Sequence, residues 1–280
     1  MKRSALITVL LATVIVIAAL VAAGCERQPA AIREALAPVP APKLMSFSPA
    51  SGTVAGRDVS VILNFDVTMD SSSLERAAVF EPNLSFKVII SGTQAEFQPT
   101  CLLDASSNYR FTLSPNMALN ADGALLERGM SVSFSTLADP VTLTVPKFGY
   151  ENTVIEGPTA DAVTAALGNG VGHFPGLGRP GAGNFVLFAH TSGQIDFPYN
   201  RLFDLQTGDE MILTYGGRSW TYVMKKGFVV NQDELWILDQ TSQPTITFFV
   251  CSAPEGKPSP TFHPPYRYVV RAELAGAPAI

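Results

Sequence analysis

The segment Thr245–Leu274 constrains the fold more than any other part of the sequence. Its first residues, TITFFVC, are all β-branched, aromatic or Cys, which is typical of a buried strand. Ser252–Tyr266 follows with five prolines, so it can hold neither a helix nor a strand ladder. A strand pattern returns at Arg267–Glu273. The segment therefore predicts two strands joined by a long loop, and neighbours in sequence often pair antiparallel.

That pairing would set Cys251 opposite Arg267, because one residue ends the first strand and the other begins the second. Directly opposed residues are about 4.5–5.5 Å apart at Cβ, and a nearby guanidinium favours the thiolate form of a cysteine. Arg271 lies on the same strand face but about 13 Å further along, so we expect it to be structural or solvated. The residues leave two interpretations open: a reactive thiol, or a buried structural Cys near a solvated Arg.

Three histidines could carry protons beside such a thiol. His173 lies in a Gly/Pro turn, His263 lies in the Pro-rich loop, and His190 directly follows the apolar run Asn184–Ala189. A strand would hold His190 in a fixed direction, which favours it on geometry. The residues alone do not exclude the other two.

Three segments in the same order resemble the sortase family. The first is the Thr-led strand that ends in Cys251, with its loop and the Arg that opens a strand ending VVRAEL. The second, GVGHFPGLGRPGAGNFVLFAH at 170–190, is similar to the family segment that leads from a Gly-His-aromatic-Pro turn to the catalytic His. The third, PYNRLFDLQTGDEMILTY at 198–215, resembles the family's Asn/Arg-Leu and Gly-Asp run. The resemblance spans roughly half the chain.

The resemblance implies a closed β-barrel with one or two short helices and a cysteine transpeptidase of class D/E-like type. It implies Cys251 as nucleophile, His190 as general acid/base, and Arg267 as the group that stabilises the oxyanion or substrate. The implied substrates are proteins with a C-terminal LPXTG-like sorting motif, cleaved through a thioacyl-enzyme and joined to an amine of a cell-wall precursor or a pilin Lys. This sequence has Phe248 and Val250 where the family usually has Leu and Thr. All three catalytic candidates are present, so we expect an active enzyme.

Other functions remain open at this stage. A non-catalytic sortase-like surface protein would use the barrel only to bind or present a peptide. A cysteine protease would resolve the same acyl-enzyme with water. An L,D-transpeptidase is disfavoured, because that family clusters Ser/His-Gly-Cys-Arg and the sequence here reads Val250-Cys251-Ser252.

The N-terminus predicts export and tethering. Met1-Lys2-Arg3 precedes an uncharged apolar run at Ala5–Gly24, which suits a secretory signal or a membrane anchor with its positive end in the cytoplasm. The sequence before Cys25 resembles a bacterial lipobox, which makes Cys25 a possible lipidation site. We expect a leader or anchor over residues 1–25, a Pro/Ala-rich tether over 26–42, and a catalytic domain outside the cell membrane.

Residues 43–137 predict an N-terminal Ig-like β-sandwich. Apolar residues alternate at Val59–Phe65, Tyr109–Leu113 and Val132–Phe134, with turn signals between the runs. Segments such as SPASGTV and VSFSTL resemble a bacterial Ig-like domain, for which we favour a spacer over an adhesion module. The carboxylates Asp66, Asp70 and Asp122 match no known calcium loop, so we expect no cofactor, although a structural or activating Ca²⁺ stays open.

Residues 138–280 predict the catalytic domain, a mainly β unit with a helix at Thr159–Leu167. Besides Asn184–Ala189, strands are expected at Glu210–Tyr215, Ser219–Lys225, Phe228–Val230 and Leu235–Leu238. A net charge of -5 with 15% charged residues gives no basic footprint for nucleic acid. We expect a monomer, with Cys101 as a buried small hydrophobe and not a disulfide partner of Cys251.

Overall fold

Two mainly β domains follow one another in the computed structural model, which describes residues 39–192, 198–259, 261 and 263–276. Residues 1–38 carry the predicted leader, the lipidation candidate Cys25 and most of the tether, and these lie outside the described residues. No helix in the described part of the chain has the length and apolarity needed to cross a membrane.

The first domain is a sandwich of two four-stranded sheets, one ordered β1-β3-β6-β5 and the other β2-β8-β7-β4. Its elements are β1 (Leu44–Ser48), β2 (Val54–Ala55), β3 (Val61–Phe65), helix α1 (Ser71–Ala77), β4 (Ala78–Glu81), β5 (Phe86–Ser91), β6 (Gln94–Pro99), β7 (Asn108–Leu113) and β8 (Met130–Thr136).

Alternation of apolar and polar residues directs one face of each sheet into a shared core. Val61, Leu63 and Phe65 of β3 are buried, and so are Tyr109 and Phe111 of β7. Successive side chains on a strand point to opposite faces, so the period of two in the sequence is enough to define this core. The predicted sandwich is confirmed.

The second domain is a closed barrel in the order β10-β11-β12-β15-β16-β14-β13-β9. Its elements are β9 (Thr142–Val145), a 3₁₀ turn (Pro146–Phe148), β10 (Tyr150–Ile155), helix α2 (Ala160–Ala166), β11 (Val171–His173), β12 (Asn184–Ala189), a 3₁₀ turn (Pro198–Asp204), β13 (Glu210–Tyr215), β14 (Arg218–Asn231), a 3₁₀ turn (Leu235–Leu238), β15 (Thr245–Ser252) and β16 (Tyr266–Leu274). The predicted mainly β fold with a closed barrel is confirmed.

Strand β12 is buried along its whole length, which explains why the residues after Asn184, FVLFA, are apolar without alternation. It pairs in parallel with β15 on one side and antiparallel with β11 on the other. A strand with both faces covered reads as a continuous apolar run.

Helix α2 begins after Thr159, whose Oγ1 accepts a hydrogen bond from the Ala162 N–H at 3.2 Å. The helix predicted from this N-cap is confirmed. The strand predicted at Leu235–Leu238 is wrong, because the segment forms a 3₁₀ turn. Four apolar residues cannot distinguish a strand from a helical turn by period alone. The two strands predicted within residues 219–230 are one continuous strand, β14.

Candidate active site

Three neighbouring strands bring Cys251, His190 and Arg267 to one end of the barrel. In the antiparallel β15–β16 pair, Cys251 lies directly opposite Arg267, so the cross-strand pairing expected from the sequence is confirmed. In the parallel β12–β15 pair, Ala189 lies opposite Val250. His190 is the next residue after Ala189, and it therefore leaves its strand beside Cys251.

These three residues belong to the outer face of the barrel. Val250 and Phe248 of β15 lie in the barrel core, and Ala189 and Val270 of the flanking strands lie there as well. Because side chains alternate along a strand, Cys251 and Arg267 are on the opposite, outward face. His190 is exposed. A thiol, an imidazole and a guanidinium thus share one solvent-accessible surface.

The end of β12 is tied to the end of β15 by a residue that the sequence did not single out. Thr191 donates a hydrogen bond from Oγ1 to the Cys251 carbonyl at 2.9 Å. Its neighbour Ser192 is held in turn by Asn200, whose Nδ2 donates to the Ser192 carbonyl at 2.7 Å. The two residues that follow His190 are therefore held in place, Thr191 by the end of β15 and Ser192 by Asn200. Thr191 gives no periodic signal in the sequence, and its position directly after His190 is the one feature that could have suggested it.

The Arg267 guanidinium is oriented by neutral oxygen atoms. Its Nη1 donates to the carbonyls of Pro264 at 2.7 Å and Tyr266 at 2.9 Å, and its Nη2 donates to Gln232 Oε1 at 3.4 Å. It forms no ion pair with a carboxylate of the described residues. Its positive charge is therefore positioned but not neutralised, which suits the stabilisation of a developing negative charge.

An outer apolar patch, made of Phe174, Phe188 and Phe249, lies next to this site. The rings of Phe188 and Phe249 stack with centroids 5.8 Å apart, and the Phe174 ring meets Phe188 edge-on at 6.3 Å. Phe188 lies two positions before His190, and Phe249 lies two positions before Cys251, so each shares a face of its strand with that residue. Helix α2 packs on one side of the patch, and the Leu235–Leu238 3₁₀ turn packs on the other.

A buried asparagine fixes the loop that carries this 3₁₀ turn. Asn184 donates from Nδ2 to the carbonyls of Ile237 and Asp239, both at 2.9 Å, and its Oδ1 accepts from Thr247 Oγ1 at 2.7 Å. The nitrogen and the oxygen of the amide side chain are both hydrogen-bonded, and the residue is fully buried. Sequence reasoning missed Asn184, because its loop partners lie more than fifty residues away.

The other two candidate histidines lie elsewhere. His173 is 5% exposed, stacks on Phe185 with centroids 4.1 Å apart, and donates from Nε2 to the Leu177 carbonyl. Burial lowers the pKa of His173, although Glu156 nearby opposes this shift. His173 therefore packs among the buried residues of the barrel and does not lie on its outer face. His263 is exposed in the loop between β15 and β16, with φ of 55°.

Arg271 supports the fold next to the patch. Its Nη2 donates to the Ile237 carbonyl at 3.4 Å, and its guanidinium lies 5.1 Å from the centroid of the Trp236 ring. Burial lowers the pKa of Arg271. Of the two roles left open for this residue, the structure supports the structural one.

Two of the three carboxylates considered as cation ligands have protein partners. Asp66 accepts a hydrogen bond from the Lys43 N–H, and Asp70 caps helix α1 through the Ser73 N–H at 2.7 Å. Among the residues that the structure describes, no group of three or more His, Cys, Asp or Glu is arranged to hold a metal ion. Cys101 and Cys251 are both free thiols, and burial raises the pKa of Cys101.

Comparisons with known proteins identify both domains. Residues 143–275 match the family model of the sortase domain, and residues 39–136 match that of a bacterial Ig-like domain. Similar solved structures include a Clostridium perfringens sortase D5 transpeptidase, with 27% identity over 49% of this chain and 79% of that one and a TM-score of 0.40. Listeria monocytogenes sortase A has 21% identity over 48% and 85%, with a TM-score of 0.41. Actinomyces oris sortase C-1 has 20% identity over 49% and 74%, with a TM-score of 0.41. The search of curated proteins gave no match.

The second domain is therefore a sortase domain, the fold of a family of cysteine transpeptidases. The chain therefore carries a match to the bacterial Ig-like domain over residues 39–136, followed by the sortase-domain match over residues 143–275.

Proposed function

We propose that this protein is an extracytoplasmic sortase that cleaves an LPXTG-like sorting motif between its Thr and Gly and joins the product to an amine. The observation that carries the proposal is the register of β12, β15 and β16, which sets His190 and Arg267 on either side of Cys251. Nucleophile, proton carrier and charge stabiliser are the three roles that acyl transfer requires.

In the first half-reaction, the Cys251 thiol transfers its proton to His190, and the thiolate attacks the carbonyl carbon of the scissile peptide bond. The electron pair of the C=O bond moves to oxygen, and the Arg267 guanidinium stabilises this oxyanion. When the oxyanion collapses, the C–N bond breaks and His190 donates a proton to the departing amine. A thioester between Cys251 and the substrate remains.

In the second half-reaction, an acceptor amine attacks the thioester carbon. His190 now takes the proton from the amine, a new amide bond forms, and the Cys251 thiolate leaves. The acceptor class is an amine of a cell-wall precursor or a Lys of a pilin subunit. The substrates are proteins with a C-terminal sorting motif, and the enzyme acts as a monomer.

The outer apolar patch supports a peptide substrate of this kind. Sites for extended ligands combine apolar surface with a few directed polar groups. Phe249, which is half-buried and lies two residues before Cys251, provides apolar surface beside the thiol, and its ring stacks on the buried Phe188. An LPXTG-like motif carries Leu and Pro on the N-terminal side of the scissile bond, and these are side chains that such a surface binds.

We place this enzyme at the cell membrane, tethered by its N-terminus. The support is the uncharged apolar run at Ala5–Gly24 after Met1-Lys2-Arg3, together with the lipobox-like sequence before Cys25. Metabolic labelling with a lipid analogue tests lipidation, which Cys25→Ser should abolish. An uncleaved anchor would leave the variant in the membrane fraction without label.

The nucleophile is tested with Cys251→Ala in the full chain. Incubation of the wild type with a sorting-motif peptide should give cleavage and a covalent acyl-enzyme on Cys251 in mass spectra, and the variant should give neither. Cys101→Ala is the matched control, because it removes the other described thiol without touching the outer face. Cleavage by Cys251→Ala would refute the assignment.

The same assay separates the alternatives. Added amine should divert the acyl group into a ligation product in preference to hydrolysis. If hydrolysis dominates at saturating amine, the protein is a cysteine protease. If Cys251 reacts with no sorting peptide and no vinyl sulfone reagent, the barrel is a non-catalytic binding module.

A further inference from the structure

The Ig-like domain places a buried charge against the sortase barrel. Arg57, in the segment between β2 and β3, is 1% exposed. Its Nε donates to the Leu103 carbonyl at 2.7 Å, its Nη1 to the Asp139 carbonyl at 2.9 Å, and its Nη2 to Glu156 Oε1 at 2.7 Å. One guanidinium thereby joins the first domain, the connecting segment and the barrel. A buried charge is retained only where such partners compensate it.

The backbone and neighbours of Arg57 extend this interface. The Arg57 N–H donates to the hydroxyl of Tyr215, a residue of β13, at 2.6 Å. Leu102, from the Ig-like domain, lies within the hydrophobic core cluster of the barrel and is 7% exposed. The contact is therefore continuous with the barrel core, which is unlike the contact of a spacer that turns freely.

Glu156 stands where the barrel passes from β10 into helix α2. It directly follows Ile155, and Gly157, Pro158 and the N-cap Thr159 come next. Its Oε1 also lies 3.9 Å from His173 Nδ1, at the start of the connection from β11 to β12. Arg57 thus holds a carboxylate that faces both connections.

Contacts from this junction lead to the outer apolar patch. A Cβ on Gly157 would meet Val163 Cγ2 of helix α2 at 3.2 Å, so the connection and the helix are closely packed. Val163 is buried together with Phe188, and Ile155 and Phe249 pack against them. The segment that follows Glu156 is therefore packed closely against the helix that flanks the patch.

We propose that Arg57 is a positioning residue for the peptide-binding surface of the sortase barrel, so that the Ig-like domain is a working part of the substrate site. Arg57 holds Glu156, Glu156 fixes the start of helix α2, and α2 sets the side of the patch next to Cys251. The catalytic residues themselves are held by the β12–β15–β16 ladder, which Arg57 does not touch. The kinetic part of this inference rests on the proposed function.

The test compares the full chain with Arg57→Met and with Arg110→Met. Arg110 is the matched control, because its pair with Glu81 on the same domain is exposed and 3.8 Å long. Arg57→Met should raise KM for a sorting-motif peptide about 10- to 100-fold with a smaller change in kcat, as expected for misplacement of a binding surface. The rate at which a methanethiosulfonate reagent modifies Cys251 should stay at the wild-type value. Arg110→Met should change neither quantity.

Hydrogen exchange provides a readout that needs no enzymatic activity. Arg57→Met should increase exchange in peptides covering residues 156–170, and leave residues 245–252 as in the wild type. Unchanged exchange at 156–170, or a kcat that falls as much as kcat/KM, would overturn the positioning role. A wild type without transpeptidation would refute the proposed function alone, since the exchange comparison still decides the inference.

If Arg57→Met does not fold, Glu156→Gln replaces it in both measurements. The amide oxygen still accepts the Arg57 hydrogen bond, but the charge is lost, so a smaller change in the same direction is expected. Arg57→Lys should not restore the wild-type values, because a lysine cannot reproduce the planar set of donors that reaches three segments. Full restoration by Lys would contradict the inference.

Discussion

His173 makes the stability of this protein sensitive to acid. The folded state depresses the pKa of His173 by burial, against an ordinary value of about 6.5. The unfolded chain therefore binds a proton more readily, so this contribution to stability is complete above about pH 6.5 and is lost as the pH falls further. Each unit of pKa depression corresponds to about 1.4 kcal/mol.

We expect His173→Gln to flatten this acid dependence. The Gln amide can still donate to the Leu177 carbonyl, but it cannot take up a proton. Urea denaturation at several pH values between neutral and about pH 5 measures the effect, with the exposed His190→Gln as control. An equally steep loss of stability in His173→Gln and in the wild type would show that other groups cause it.

For single residues, the sequence predicts pairs on two strands that one loop connects. It misses residues whose hydrogen-bond partners are far away along the chain. Cys251 and Arg267 could be paired from the sequence because a single loop joins their strands. Thr191 reaches Cys251 across 60 residues, and Arg57 reaches Tyr215 across 158. Their side chains are ordinary surface types in the sequence, and only the closed fold gives them partners.

At the scale of elements, the packing of helix α2 on the barrel depends on a glycine. A Cβ added to Gly172 in β11 would lie 2.5 Å from Val163 Cγ1, 3.1 Å from Leu167 Cδ1 and 3.1 Å from Phe188 Cζ. Gly172→Ala should therefore cost about 1–3 kcal/mol of stability, as overpacking usually does. Chemical denaturation measures this cost.

Ala165→Ser is the control for this change, because it adds one heavy atom on the exposed side of the same helix. It should alter stability by no more than about 0.5 kcal/mol. A Gly172→Ala protein as stable as this control would mean that α2 can move away from the barrel without cost.

Strands with a regular alternation of apolar and polar residues, and a helix with a clear N-cap, could be predicted from the sequence. The structure of short apolar runs could not. The alternation in β3 and β7 and the N-cap of α2 define those elements from local sequence. The Leu235–Leu238 segment turns as a 3₁₀ helix, since the carbonyls of Ile237 and Asp239 accept hydrogen bonds from the buried Asn184. That tertiary contact outweighs the strand preference of the run.

At the scale of the whole molecule, the interface around Arg57 should make the two domains unfold together. Calorimetry of the full chain should show one transition for the wild type. Arg57→Met removes the hydrogen bonds from the guanidinium to Leu103, Asp139 and Glu156, so its Ig-like domain and barrel should unfold in two transitions. Two transitions in the wild type, or one at an unchanged temperature in the variant, would contradict this expectation.

The parallel contact between β12 and β15 has a consequence for when the protein can react. These strands lie side by side, yet β13 and β14 stand between them in the chain. A newly made polypeptide must therefore complete most of the barrel before His190 meets Cys251, because distant pairings form late. Until that moment the cysteine is a thiol without its imidazole neighbour, so an incompletely folded chain could not carry out the proposed acyl transfer.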